Sequence, residues 1–194
     1  RAGGAIDRVA STGDDGLQTY ALDDDAPLVA ALARHGFRLN GRGYDSVLAA
    51  EAIPAPALPD GFGILSMADE PDLPRRCAVR ARGFDHTEPE AWSSTHAYEQ
   101  LQQAPTYDPG LDLVTVAPDG TWCSCCVIWP DARNGIATLE PVATRADYRL
   151  GGLGRAVIHE AARRAAARGF PVTRVGTEKP FYLACGFRRR WTRH

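Results

Sequence analysis

The stretch with the clearest chemical content runs from Ile136 to Arg155, and at its centre lies Arg149-Leu150-Gly151-Gly152-Leu153-Gly154. An apolar segment leads into this glycine-rich turn, which opens an amphipathic helix. Glycines let the backbone approach an anion closely. The first amides of a helix have no intrahelical acceptor, and the helix dipole favours negative charge beside them. Arg149 and Arg155 add positive charge at the same place. These residue types describe a cradle for a pyrophosphate, although the same glycines also suit an ordinary strand-to-helix turn. Two phosphate motifs are excluded. No Gly-Lys-Ser/Thr is present, so this is not a P-loop. Gly151-Gly152-Leu153-Gly154 is not G-x-G-x-x-G, and no acidic residue follows at the spacing a dinucleotide fold needs. Glu140 is the other marked residue. A carboxylate on an otherwise apolar strand must face a cleft or be paired, because a buried unpaired charge is costly.

The elements that position these groups follow from periodicity and turn chemistry. Leu153, Val157, Ala161 and Ala165 recur at i+4 and predict a helix over 153–168, ended by Gly169. Strands are expected over 111–117 and 122–129, joined by Pro118-Asp119-Gly120 as a hairpin. A strand over 136–143 follows the turn at 131–135. Further strands are expected at 62–66, 172–175 and 187–191, with helices over 71–84, 90–103 and 180–185. The pattern from 62 onward is β-α-α-β-β-β-α-β-α-β, an α+β class. Upstream, Asp25-Ala26-Pro27 starts a helix with Leu28, Val29, Leu32 and Ala33 on one face and Gly36 as its stop. Strands are expected at 37–39 and 44–49. Pro54, Pro56, Pro59 and Gly61 make 53–61 a semi-rigid linker, which places a domain boundary there.

The 194 residues are 44% hydrophobic and 24% charged, ordinary for a globular chain with a core of its own. The net charge of -2 is unevenly distributed. Residues 141–194 hold 12 Lys and Arg against 3 Asp and Glu, and the remainder holds 10 against 21. A basic quarter on an acidic body suggests an anionic partner there, whether nucleic acid, membrane phosphate or a phosphate-bearing cofactor. Aromatic residues are not interleaved with the arginines, and no helix-turn-helix or zinc signature occurs, so nucleic acid is not the expected partner. No apolar run approaches the ~20 residues that span a bilayer, so no membrane partner is expected either. The sequence begins with Arg1 and has no charged-then-apolar leader, as expected of a piece or processed form of a longer chain. Five cysteines, an odd number, argue against a disulfide framework and for a reducing, cytoplasmic setting. Cys123-Ser-Cys125-Cys126 reads as a buried strand with Cys as a small apolar residue. No second Cys/His pair at metal spacing follows, so no metal site is expected.

Arg149-Leu-Gly-Gly152-Leu-Gly154, led by Asp147-Tyr148, resembles the Arg/Gln-x-x-Gly-x-Gly/Ala acetyl-CoA motif of the GNAT N-acetyltransferase superfamily. About 30 residues on, Phe181-Tyr182-Leu-Ala-Cys-Gly186-Phe187 is similar to its second hallmark. The resemblance covers roughly 62–191. Leu58-Pro-Asp-Gly-Phe62, Tyr107-Asp-Pro-Gly-Leu-Asp-Leu113 and Leu139-Glu-Pro-Val142 resemble a tandem-GNAT subgroup related to mycothiol synthase.

The resemblance implies a mixed, mostly antiparallel sheet flanked by helices, with acetyl-CoA as co-substrate and an amine as acceptor. It implies that Val142, Ala143 and Thr144 pair with pantetheine. The amides of Leu150, Gly151, Gly152, Leu153, Gly154 and Arg155, with Arg149, would hold the pyrophosphate. Tyr182 takes the position of the general acid, and Glu140 that of a base for the acceptor ammonium. Residues 1–52 resemble the tail of a first, degenerate GNAT unit, since Arg34-His35-Gly36-Phe37 echoes 180–187. Residues 62–194 would be the acetyltransferase domain. A half-length first unit leaves apolar surface that a second copy would cover, which favours a homodimer. The alternative function is a non-catalytic acyl-CoA-binding module, which the short segment before Tyr182 also suits.

Overall fold

The computed structural model describes residues 19–22, 24–39, 41–86, 88 and 95–193. The hairpin forms where its turn chemistry placed it. Strands β3 (Asp112–Val116) and β4 (Trp122–Asp131) flank a turn in which Asp119 accepts from the Thr121 amide at 2.9 Å. Gly120 there takes φ +83°, a conformation open to glycine at little cost. Strands β1 (Gly43–Ala49), β2 (Gly63–Ser66), β5 (Ile136–Thr144), β6 (Val172–Val175) and β7 (Arg188–Arg193) complete a seven-stranded sheet of order β2-β3-β4-β5-β6-β1-β7. The strands β2 to β5 pair antiparallel in succession, β5 and β6 pair parallel, and β1 pairs antiparallel with β6. The fold is α+β, with a mixed, mostly antiparallel sheet.

The chain divides into two compact units, 1–43 with 192–194, and 44–191. Almost all of β1, which the proline linker groups with residues 1–52, is thus a strand of the main sheet. In the smaller unit, α1 (Ala26–Arg34) is capped by Asp25, which accepts from the Leu28 amide. Residues 37–39, expected as a strand, are irregular. The Phe37 amide is instead spent on the Leu32 carbonyl at 3.0 Å, closing the end of α1 around Gly36 at φ +84°.

In the larger unit, α4 (Leu153–Ala167) packs on β3, β4 and β5. Ala156, Ala161, Ala162 and Ala165 keep the approach close, and Val157 and Ile158 are fully buried. Each of those two side chains contributes about 1.5–3 kcal/mol by leaving water. Cys123, Cys125 and Cys126 are buried in β4 with free thiols, as small core residues. Helix α2 (Leu73–Gly83), with Asp72 as its N-cap, packs on β4 and β5 through a separate core cluster, in which Val79 joins Val114, Cys125 and Ala143.

The helix expected over 90–103 is present as α3 (His96–Gln102), and 89–94 lie outside the described residues. A buried polar network ties α2 and α3 to β3. Arg76 Nε donates to Asp112 at 2.7 Å, and the Tyr98 and Tyr107 hydroxyls donate to the other Asp112 oxygen. Burial opposes the Arg76 charge, but Cys125, Asp112 and Tyr98 outweigh it and hold the guanidinium protonated. No described helix is long and apolar enough to cross a membrane.

Candidate active site

The glycine turn joins β5 to α4. Leu150 takes φ +67° with its side chain fully exposed, and Gly152, the residue before the helix, takes φ +82°. Two left-handed residues so close together turn successive amides outward. No described residue accepts a hydrogen bond from any of the six amides from Leu150 to Arg155; the Ala156 amide is the first to bond back, to the Gly152 carbonyl. Five of these six residues, all but Gly151, line a cleft of about 660 Å³ together with Val142, Ala143, Thr144, Arg149, Lys179, Phe181 and Tyr182. Gly154 is the tight point. A Cβ there would sit 2.9 Å from the Thr144 hydroxyl and 3.3 Å from the Phe181 ring, so glycine lets α4 begin directly against strand and aromatic.

Strand β5 supplies the cleft's second wall. It pairs with β6 only through Ile136, Ala137 and Thr138, and then the two strands part. From Leu139 to Thr144 no described strand occupies that side, so a row of main-chain groups faces the cleft. Where the strands diverge, β5 carries one residue more than β4 between the pairs Leu139–Ile128 and Val142–Cys126. Glu140 and Pro141 form that bulge. Tyr182 comes from α5 (Pro180–Ala184), whose end is tied down twice. The Phe187 amide donates to the Tyr182 carbonyl, and the buried His159 donates from Nε2 to the Cys185 carbonyl at 2.9 Å. The Tyr182 ring packs edge-on against Phe181 and Phe187. Burial, then the Cys185 and Cys126 thiols and the Glu140 carboxylate, push its phenol up to about 12. No described residue hydrogen-bonds its hydroxyl. A second cleft, of about 320 Å³, lies beside the bulge, lined by Cys77, Arg80, Ala97, Tyr98, Leu101, Trp129, Glu140 and Pro141.

The sequence profile of the acetyltransferase (GNAT) family matches residues 79–187, more than half of the chain. The chain belongs to the GNAT acetyltransferase family. Among solved structures it is similar to a GCN5-related N-acetyltransferase from Sphaerobacter thermophilus, with 18% identity and a TM-score of 0.64 over 90% of this chain and 56% of that one. A GCN5-related N-acetyltransferase from Kribbella flavida gives 16% identity and 0.66 over 90% and 65%. A tandem GNAT protein from the clavulanic acid biosynthesis pathway gives 15% and 0.60 over 88% and 58%. At these identities the likeness shows the fold. This chain spans 56% to 65% of the length of those neighbours. No curated protein matches it significantly.

Within this GNAT fold, the residues expected to hold the cofactor come together. Val142, Ala143, Thr144, Arg149, Leu150, Gly152, Leu153, Gly154, Arg155 and Tyr182 line one cleft, and Gly151 lies in its turn. Glu140 lines the neighbouring one. Its side chain is exposed and in no ion pair among the described residues, so the charge on the apolar strand is solvated at a cleft. Arg149, besides lining the cleft, makes contacts within the protein. Its Nε donates to the Thr144 carbonyl at 3.0 Å, and its Nη2 donates to the Gly83 carbonyl and to Asp85. The guanidinium clamps the end of α2 to the end of β5, and Asp85 offsets its charge. Arg155 and Lys179 enter no ion pair among the described residues and supply the cleft's uncompensated cations. Sequence reasoning missed Lys179, Phe84 and Gly83 on this cleft, and Arg80, Tyr98 and Trp129 on the other. Lys179 was the legible one, being the sole lysine and adjacent to the aromatic-Tyr motif. The others come from α2, α3 and β4, and nothing local in the sequence joins them.

Proposed function

We propose that the protein is an acetyl-CoA-dependent N-acetyltransferase that modifies the primary amine of a small molecule or peptide. The observation that carries this reading is the row of six amides, Leu150 to Arg155, without an acceptor among the described residues, at a cleft that continues along the open edge of β5. Six donors at a helix N-terminus, with Arg155 and Lys179 beside them, suit the oxygens of a pyrophosphate. An open strand edge suits an extended arm carrying amides, in the manner of an added strand. Val142, Ala143 and Thr144 are the residues that would pair with pantetheine there. Acetyl-CoA, when bound, supplies an activated thioester.

The remaining chemistry belongs to two side chains. The acceptor must be a neutral amine to attack, and Glu140 is placed to take the ammonium proton, directly or through water. The Tyr182 phenol, with its pKa pushed up to about 12, stays protonated at neutral pH. It is placed to give a proton to the departing thiolate sulfur. Residues 1–52 would be the tail of a preceding unit that lends β1 to the main sheet, 53–61 its connector and 62–194 the rest of the acetyltransferase domain. Calorimetric titration with acetyl-CoA, with NADH and a short DNA duplex as controls, tests the reading. Micromolar binding of acetyl-CoA alone is expected. Absence of binding to the folded protein would overturn it.

A further inference from the structure

We propose that the acceptor is an α-amino acid with an apolar side chain, its carboxylate held by Arg80 and its amine presented to Glu140. This rests on the acetyltransferase reading and adds the substrate class. The argument is an account of the polar groups lining the smaller cleft. Trp129 has spent its indole N–H on the Glu140 carbonyl, at 2.6 Å. The Tyr98 hydroxyl is donated to the buried Asp112. Burial raises the Cys77 thiol, which stays neutral. Among the described lining residues this leaves two polar side chains uncommitted, and they are opposite in charge. Glu140 and Arg80 are both exposed, and neither forms an ion pair with a described residue.

Arg80 sits on α2 with its guanidinium over the Phe84 ring, 5.8 Å from the centroid, and Phe84 lines the cofactor cleft. The cation therefore stands where the two clefts adjoin. A planar guanidinium matches a carboxylate with two parallel hydrogen bonds. It also works against an acceptor that brings only an ammonium, because like charges then share the cleft. The rest of the lining, Ala97, Leu101, Trp129 and Pro141, is apolar. About 320 Å³ holds about ten water-sized groups at ~30 Å³ each. That is the scale of leucine or phenylalanine. In the reaction, the ammonium first gives one proton to Glu140, which passes it to solvent. A bond then forms between the amino nitrogen and the acetyl carbonyl carbon while the carbon–sulfur bond breaks. Tyr182 protonates the thiolate, and the second proton lost by the nitrogen returns through water to Tyr182, so one proton is released per turnover.

The test compares kcat/KM for leucine and phenylalanine with that for their amides and for 3-methylbutylamine and phenethylamine, which lack the carboxylate. The acids are expected to lead by about tenfold or more, the scale of a charge-assisted pair. In R80Q, a change at an exposed helix position, the ratio of acid to amide should fall toward one. A second readout needs no cofactor: saturation-transfer NMR on leucine and leucinamide, with wild type and R80Q. Transfer to leucine, lost in R80Q, is expected. Amides or simple amines turned over as well as the acids would overturn the proposal. So would a ratio indifferent to R80Q, or no transfer to either acid. If acetyl-CoA failed to bind while leucine still bound through Arg80, the acetyltransferase reading would fall and the ligand class would stand.

Discussion

Replacing Gly83 with alanine probes the seam on which the cofactor wall rests. Gly83 is the last residue of α2, and an alanine at a free helical position gains up to about 1 kcal/mol over glycine. Here the added Cβ would lie 2.6 Å from the Ala143 Cβ, 3.0 Å from the Thr144 nitrogen and 3.2 Å from the Ala143 carbonyl carbon. Carbon atoms rest at about 3.5–4.0 Å, so the helix end and β5 must separate by about 1 Å. Neither obstacle has a rotamer to change. Overpacking of this kind costs about 1–3 kcal/mol, which exceeds the helical gain. The expected net loss is about 1 kcal/mol, the middle of a range of about 0–2, or a melting point about 2–4 °C lower for a chain this size. The strand that would move carries Val142 to Thr144, so acetyl-CoA should also bind more weakly, by about tenfold. Urea unfolding measures the first effect and calorimetry the second. A143G in the same chain removes the closest contact and should restore at least half the stability, which a double-mutant cycle reads as coupling. G83A as stable as wild type, with no coupling to A143G, would refute the packing described for α2 and β5.

Three other outcomes are expected. Y182F should lower kcat by about a hundredfold and leave the acetyl-CoA Kd within about threefold, as stopped-flow and calorimetry would show. With the wild-type phenol pushed up to about 12, the kcat profile should show no alkaline fall assignable to Tyr182 below pH 10. An unfolded tyrosine titrates near 10, so what burial of the neutral phenol adds to folding is present below about pH 10. It is lost as the pH rises toward 12. R76A leaves the Asp112 carboxylate buried beside two tyrosines without its counter-charge, and urea unfolding should show a loss of about 3–5 kcal/mol. L150G removes a left-handed strain of about 1–2 kcal/mol and returns about 0.5–1 through chain entropy. Its melting point should hold or rise slightly and acetyl-CoA binding should persist, because the proposed contact uses the backbone amide, which glycine keeps.

What was legible in the sequence was local. The glycine turn, the hairpin at Pro118-Asp119-Gly120 and the i+4 alanines of α4 each declare themselves within a few residues. The aromatic-Tyr segment did the same through its spacing from the turn. Positions whose role depends on a distant partner did not. Arg149 reads as a free cation beside glycines, yet Asp85 and the Gly83 carbonyl, more than sixty residues away, take up its guanidinium. Arg76 reads as one more charge in an arginine-rich helix, and only Asp112, Tyr98 and Cys125 around it make a buried site tolerable. The smaller cleft takes its walls from α2, α3, β4 and the β5 bulge, so no single window of sequence contains it. Residues 37–39 have strand-like composition, but the Phe37 amide caps a helix instead.

The place of β1 in the sheet bears on how the protein is made. Its Ser46 is opposite Val175, and Asp45 holds Arg174 in an ion pair across 129 residues of chain. Strands β2 to β5, by contrast, pair with their immediate successors. On the ribosome β3 to β5 can assemble early, because the loops between them are short, whereas β2 pairs with β3 across the intervening helices α2 and α3 and β1 must wait until β6 is made. Until β6 emerges, the outer edge of β5 lacks even its short parallel partner, and its main-chain groups are open to any passing strand. The open edge of β5 proposed to receive the cofactor is therefore also an aggregation-prone edge of the nascent chain. It stays so until the last segments of the sheet have been synthesised.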